Sequence, residues 1–227
     1  MKITKLKTGD ILCNVEKNPR RWSIFGTVIR LFTRSSCSHV AIILKDPSIT
    51  FFNSVLKDQC EKSVHNIYVT EFYETFNQTS KHHCAGFHIT PIEEFFNEDN
   101  ENNKSYKFLK LKGRQLNVYE RARFENFIMA VKDRDYESVG GLLLALFRIN
   151  IGEDDKRFFC SEYVLSSLKY TGVCPPAQKF KEYSSNCLPK HIYKRRFKTY
   201  ADFFYGKPKK IKIVSSISSI ENKVVYI

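Results

Sequence analysis

Glycine and proline are scarce, 9 and 7 among 227 residues, which excludes collagen-like and linker-like architectures. Cysteine is too thinly spread for a disulfide framework: seven residues, at positions 13, 37, 60, 84, 160, 174 and 187, odd in number and without a CxxC pair. A reducing compartment is the simpler expectation. No apolar run approaches the ~20 residues that a membrane-crossing helix needs. The start, Met1 to Asn14, breaks up its apolar residues with Lys2, Lys5 and Lys7 and lacks the continuous apolar stretch of a signal peptide. A cytoplasmic chain is therefore expected, with peripheral membrane contact left open. Acidic residues are outnumbered, 24 against 37 basic, for a net charge of +13. Such an excess favours anionic partners, whether nucleic acid, phospholipid or an acidic protein, and says nothing about fold.

Apolar residues make up 42% and aromatics 14%, with 19 Phe and 12 Tyr, enough to close a packed core without disulfides or metal. The length suits one elaborated domain or one domain with a substantial extension. Charge is unevenly placed. From Lys179 to Lys212 there are 11 basic residues against Glu182 and Asp202, which supplies nine of the 13 net positive charges. Phe180, Tyr183, Ile192, Tyr193, Phe197, Tyr200, Phe203 and Phe204 are interleaved with that tract and predict a folded, partly packed segment rather than a free tail. The opposite bias, Glu93 to Glu101 followed by Asn102 to Ser105, reads as a solvated loop. No internal repeat is present.

Periodicity predicts a helix over Trp22 to Phe32, through Phe25, Val28, Ile29 and Phe32. His39 to Leu44 and Ile49 to Leu56, separated by Asp46-Pro47, read as strand, turn, strand. Strands are also expected at Ala85 to Thr90 and Tyr106 to Leu111. Helices are expected at Tyr119 to Lys132, at Gly140 to Phe147, and from Cys160 to about Tyr170 with Gly172 as its stop. One helix, several strands and then helices make an α+β domain, with an antiparallel sheet packed against helices.

Two segments place a reactive side chain at the edge of a regular element. In Cys37-Ser38-His39-Val40-Ala41-Ile42-Ile43 the histidine opens an apolar strand, which can fix its ring while one nitrogen faces a cleft. In Phe158-Phe159-Cys160-Ser161-Glu162-Tyr163 the cysteine opens a helix, where unpaired N–H groups and the positive end of the dipole favour a thiolate. A neighbouring imidazole would add to that and pass a proton to a leaving group. Taken locally, both residues also fit a plain packing role, since buried cysteines are commonly inert and a strand-edge histidine is often just a satisfied core residue.

Four segments occur in order along the chain: Leu6-Lys7-Thr8-Gly9-Asp10-Ile11-Leu12, Thr33 to Ile42, Gly86 to Phe95, and Phe159-Cys160-Ser161-Glu162-Tyr163-Val164. Together they resemble the circularly permuted papain-like thiol hydrolases of the NlpC superfamily, found in bacteria and in poxviruses and other large DNA viruses, with the lecithin retinol acyltransferases as more distant relatives. The resemblance covers roughly residues 6 to 190. It implies a permuted papain-like domain over 1–190, with 191–227 as a basic, aromatic-rich C-terminal extension packed on it. It also implies a Cys160 nucleophile with His39 as its base, the histidine strand preceding the cysteine helix. The family further asks for a polar residue on the next strand to hold the imidazole. Where many relatives carry an apolar-Glu-small sequence, this chain has Phe52-Asn53-Ser54, which makes Asn53 the expected orienting residue. A virion or peripheral-membrane location is compatible with that likeness.

Other clusters carry less. His82-His83-Cys84 with His88 offers ligating atoms, but adjacent strand histidines point to opposite faces and no second cluster completes a tetrahedral set. Gly140-Gly141 lacks the spacing and the following lysine of a phosphate loop. No metal or cofactor is expected. The leading expectation is thus a cysteine hydrolase or acyltransferase acting on an amide or ester bond, in a peptide or a lipid, through an acyl-thioester. Lys194, Arg195 and Arg196 would attract an anionic substrate or surface. The rival expectation is a non-enzymatic binding or structural protein that uses the same scaffold and basic surface to hold nucleic acid or an anionic membrane.

Overall fold

The computed structural model describes residues 3–15, 39–73, 85–101, 105–111, 115–136, 157–173, 209–214 and 223–226. The helices expected at Trp22 to Phe32 and Gly140 to Phe147 lie outside them, as do Lys194, Arg195 and Arg196. Among the described residues, seven strands form one sheet: β1 (Ile11–Val15), β2 (His39–Lys45), β3 (Ile67–Tyr73), β4 (Gly86–Pro91), β5 (Ser105–Leu109), β8 (Lys209–Val214) and β9 (Lys223–Tyr226). Their spatial order is β4-β3-β2-β1-β5-β8-β9, and each neighbouring pair is antiparallel. A short parallel pair, β6 (Asp135–Tyr136) and β7 (Arg157–Phe158), stands apart. The protein is a mixed α+β structure built on an antiparallel sheet. Both β8 and β9 come from the region expected as an extension, and they lengthen the same sheet from β5 onward.

Both faces of the central strands are buried, which is why β2 reads as an unbroken apolar run. Ile11, Cys13, Val40, Ile42, Leu44, Tyr68 and Phe72 belong to one core cluster, together with Phe124, Phe127, Ile128, Tyr163, Val164 and Leu168. The alternate strand positions Leu12, Ala41, Ile43, Ile67 and Val69 join Ile3, Leu6, Ile92, Phe95 and Phe96 in a second cluster. Period-two alternation thus divides the central strands between two cores.

Two expectations are corrected here. Residues 49–59 form helical turns, Ile49–Phe51, Phe52–Leu56 as a π turn and Lys57–Gln59, which run on as one stretch, α1. Phe51, Val55 and Leu56 are buried while Asn53 and Ser54 are exposed, a helical rather than an alternating pattern. Ser48 starts it, its hydroxyl accepting from the Phe51 N–H, and Glu125 accepts from both the N–H and the hydroxyl of Ser48. The acidic segment expected as a loop is likewise helix α2 (Ile92–Glu101). Ile92, Phe95 and Phe96 bury one face of it, and Glu93 accepts from the Ser63 hydroxyl and the His65 N–H.

The two later helices lie close to their expected limits. Helix α3 (Val118–Val131) begins at a capping box in which Asn117 and Glu120 satisfy each other's backbone N–H groups. Helix α4 (Cys160–Tyr170) ends at Gly172, whose φ of 78° is a conformation that glycine adopts at little cost. Gly9, at φ 92°, makes the turn that delivers Asp10 to the interior. There the Asp10 carboxylate accepts from the N–H groups of Lys7 and Leu111, at 2.9 and 2.8 Å. Burial pushes its pKa up to about 6 against the lowering effect of those two bonds. Among the described residues, no helix is long and apolar enough to cross a membrane.

Candidate active site

One end of the sheet gathers the first residue of β2, the last three of β3 and the first residue of α4. An aromatic cluster fixes where α4 begins. Phe158 packs on Phe72 and Phe127 with ring centroids 5.3 and 6.3 Å apart. The Arg134 guanidinium covers the same ring at 5.2 Å, and Phe159 meets Tyr136 edge to face. Cys160 follows directly and is only 2% exposed. Phe159, at the N-cap, makes no side-chain cap hydrogen bond, so the first N–H groups of α4 receive no acceptor from that position.

His39 stands where the apolar run of β2 begins. Its Nε2 lies 2.5 Å from Oε2 of Glu71, and the two side chains are 15% and 12% exposed. The Tyr73 ring stands perpendicular to the imidazole, with centroids 5.4 Å apart and planes at 88°. Glu71 and Tyr73 are two apart on β3, so they project to the same side of that strand. Cys160 stands near enough to the His39 ring to act on its protonation. On the other side, Asn14 of β1 is opposite His39 in register. Its Oδ1 is buried without a hydrogen-bond partner, so β1 adds no polar contact to the ring through that atom.

Electrostatics follow this geometry. Burial alone would lower the pKa of His39, because it penalises the charged ring. The Cys160 and Glu71 charges, each also an acceptor for the ring, outweigh that penalty and push the pKa up to about 10. Sulfur and carboxylate thus act on the imidazole in the same direction, and both favour its charged form.

Of the expected site residues, the structure brings His39 and Cys160 together and leaves Asn53 out. Asn53 is exposed on the π turn of α1, and the side-chain acceptor on His39 is Glu71. The strand that carries Glu71, Ile67–Tyr73, is an element beyond those expected from periodicity. A signal was present: Ile67-Tyr68-Val69-Thr70-Glu71-Phe72-Tyr73 is rich in β-branched and aromatic residues, with a single carboxylate among them. The cationic trio Lys194, Arg195 and Arg196 lies outside the described residues. Searches against family models and against curated proteins return no match, so a functional reading rests on what this chain's own residues can do.

Proposed function

We propose that the protein is a cysteine hydrolase or acyltransferase on a circularly permuted papain-like scaffold, acting on an amide or ester bond. The observation that carries this reading is the convergence of the Cys160 thiol and the Glu71 carboxylate on the His39 ring. His39 holds the proton taken from sulfur, and Cys160 attacks the acyl carbon as thiolate. The first N–H groups of α4 face the charge that develops on the carbonyl oxygen. His39 then protonates the leaving nitrogen or oxygen, which leaves an acyl-thioester on Cys160. Water or an acceptor nucleophile gives a proton back to His39 as it attacks that thioester, and sulfur leaves as the thiolate beside the protonated ring, which restores the starting pair. Glu71 fixes the ring by accepting from Nε2 and offsets the imidazolium charge, which an amide at the same place would not do.

The test is trapping. A p-nitrophenyl ester should leave its acyl group on the Cys160 peptide, detected by mass, with release of p-nitrophenol; Cys160→Ala should show no such adduct, and His39→Ala should form it at least about a hundredfold more slowly. Failure to acylate Cys160 with activated ester and anilide substrates alike, in folded protein, would remove the enzyme reading. A second role, holding an anionic surface, is favoured by the nine net positive charges concentrated between Lys179 and Lys212.

A further inference from the structure

Each of the three candidate site residues stands on a different element, Cys160 on α4, Glu71 on β3 and His39 on β2, and a separate hydrogen-bond chain joins those same three elements. The Tyr163 hydroxyl donates to Oγ1 of Thr70 at 2.9 Å, and the Thr70 hydroxyl donates to the Ile42 carbonyl at 3.1 Å. Tyr163 lies three residues after Cys160, one turn along the same helix face. Thr70 immediately precedes Glu71, and Ile42 follows His39 by three residues on β2. The chain thus pins the three elements within a few residues of the groups that must meet.

Packing does not explain why position 163 carries a hydroxyl. The Tyr163 ring touches Phe72, Phe87 and Phe127, with centroids 5.1, 5.8 and 5.9 Å away, and a phenylalanine would fill that aromatic pocket equally well. Tyr163 and Thr70 are both fully buried. A hydroxyl there has to be paired, and when paired it adds direction to contacts that are otherwise free to slide. Helix α4 packs on β2 and β3 mainly through apolar side chains, which resist separation more than they fix register. A displacement of α4 by a fraction of an ångström would carry the sulfur away from the ring while leaving the core closed.

We propose that the Tyr163 and Thr70 hydroxyls are positioning groups, whose hydrogen-bond chain sets where the Cys160 thiol stands relative to the His39–Glu71 pair. This rests on the cysteine-nucleophile reading above, and it assigns the site a support that lies outside the reacting groups. Neither hydroxyl touches substrate. Their loss shows as a changed pH dependence of thiol reactivity, because a thiol no longer held against the imidazole loses the ring's help at neutral pH and regains reactivity only when hydroxide supplies the base.

The experiment follows alkylation of Cys160 by iodoacetamide in the full chain, by mass of its peptide, from about pH 6 to about pH 9. It compares wild type, Tyr163→Phe, Thr70→Val, Thr70→Ser and His39→Ala, with thermal unfolding of each. Tyr163→Phe and Thr70→Val should label about tenfold more slowly than wild type near pH 6.5 but within about threefold near pH 9, with Tm lowered by only about 2–6 °C. Thr70→Ser keeps the hydroxyl and should keep the wild-type profile. If both hydroxyl-deleting variants label like wild type at every pH while His39→Ala is slowed, the chain is structural only and the proposal is overturned, with the nucleophile reading intact. If His39→Ala labels like wild type, the nucleophile reading fails and this proposal fails with it. Should Tyr163→Phe not fold, the contrast between Thr70→Ser and Thr70→Val decides, and identical profiles for that pair would overturn the proposal.

Discussion

Cys160 and Cys60 show how little exposure says about thiol chemistry. Cys60 is half-buried, whereas Cys160 is 2% exposed. Burial and the neighbouring Glu94 charge push the Cys60 thiol up to about 11, which leaves it almost wholly protonated at neutral pH. Cys160 has an imidazole beside it instead. A small uncharged reagent should therefore modify Cys160 faster than Cys60 near pH 7, by about tenfold or more. Peptide mass mapping after brief iodoacetamide treatment checks this, and a ranking that follows exposure would contradict an activated nucleophile. The ring can be tested from its own side. Cys160 and Glu71 both favour the protonated His39 ring, so the NMR titration midpoint of the ring should fall in Cys160→Ala and in Glu71→Gln. The sign for stability follows. The folded value, about 10, lies above the ordinary 6.5, so the charged ring stabilises the fold in full below about pH 6.5 and that contribution is lost as pH rises towards 10. A midpoint unmoved by either substitution would separate His39 from both partners.

At the scale of elements, the turn between β2 and α1 depends on α3. Arg121 donates through Nη2 to the carbonyls of Lys45 and Asp46, and Glu125, one turn further along α3, accepts from Ser48. Ser48 in turn caps α1. Ser48→Ala removes the cap and deprives a carboxylate that is 5% exposed of one of its donors. It should cost about 1–2 kcal/mol of unfolding free energy, read as a lower denaturant midpoint at unchanged slope. An unchanged midpoint would mean that the Asp46-Pro47 turn alone starts α1. The same clamp explains why segment 49–56 misleads as a sequence. Its apolar and aromatic residues suit a strand, but the N-terminal capping and the spacing of Phe51, Val55 and Leu56 suit a helix, and tertiary contacts made far along the chain decide between them.

For the whole molecule, the charge distribution is the feature most open to test. With nine net positive charges between Lys179 and Lys212, binding to a polyanion such as heparin or to anionic vesicles should weaken steeply with salt. Replacing Lys194, Arg195 and Arg196 by Gln should reduce the slope of log affinity against log salt by roughly two to three. Labelling of Cys160 should be unchanged in that triple variant, because the site gathers around β2, β3 and α4. Polyanion binding that survives the substitutions would place the anion-binding surface elsewhere.

The α+β class, the β2 strand opened by His39, the α4 helix opened by Cys160 and stopped at Gly172, and the excess of positive charge are all legible in the chain before it folds. These are local or additive properties: an apolar run, a helical period, a glycine and a count of charges. Long-range contacts are what make Glu71 rather than Asn53 the partner of the imidazole, the acidic segment after Pro91 a helix, and β8 and β9 a continuation of the sheet. Each of those depends on which residues distant in sequence come to lie side by side. His39 and Glu71 are 32 positions apart and meet because β2 and β3 pair in one register, whereas a shift of a single residue would turn the carboxylate to the opposite face of the sheet.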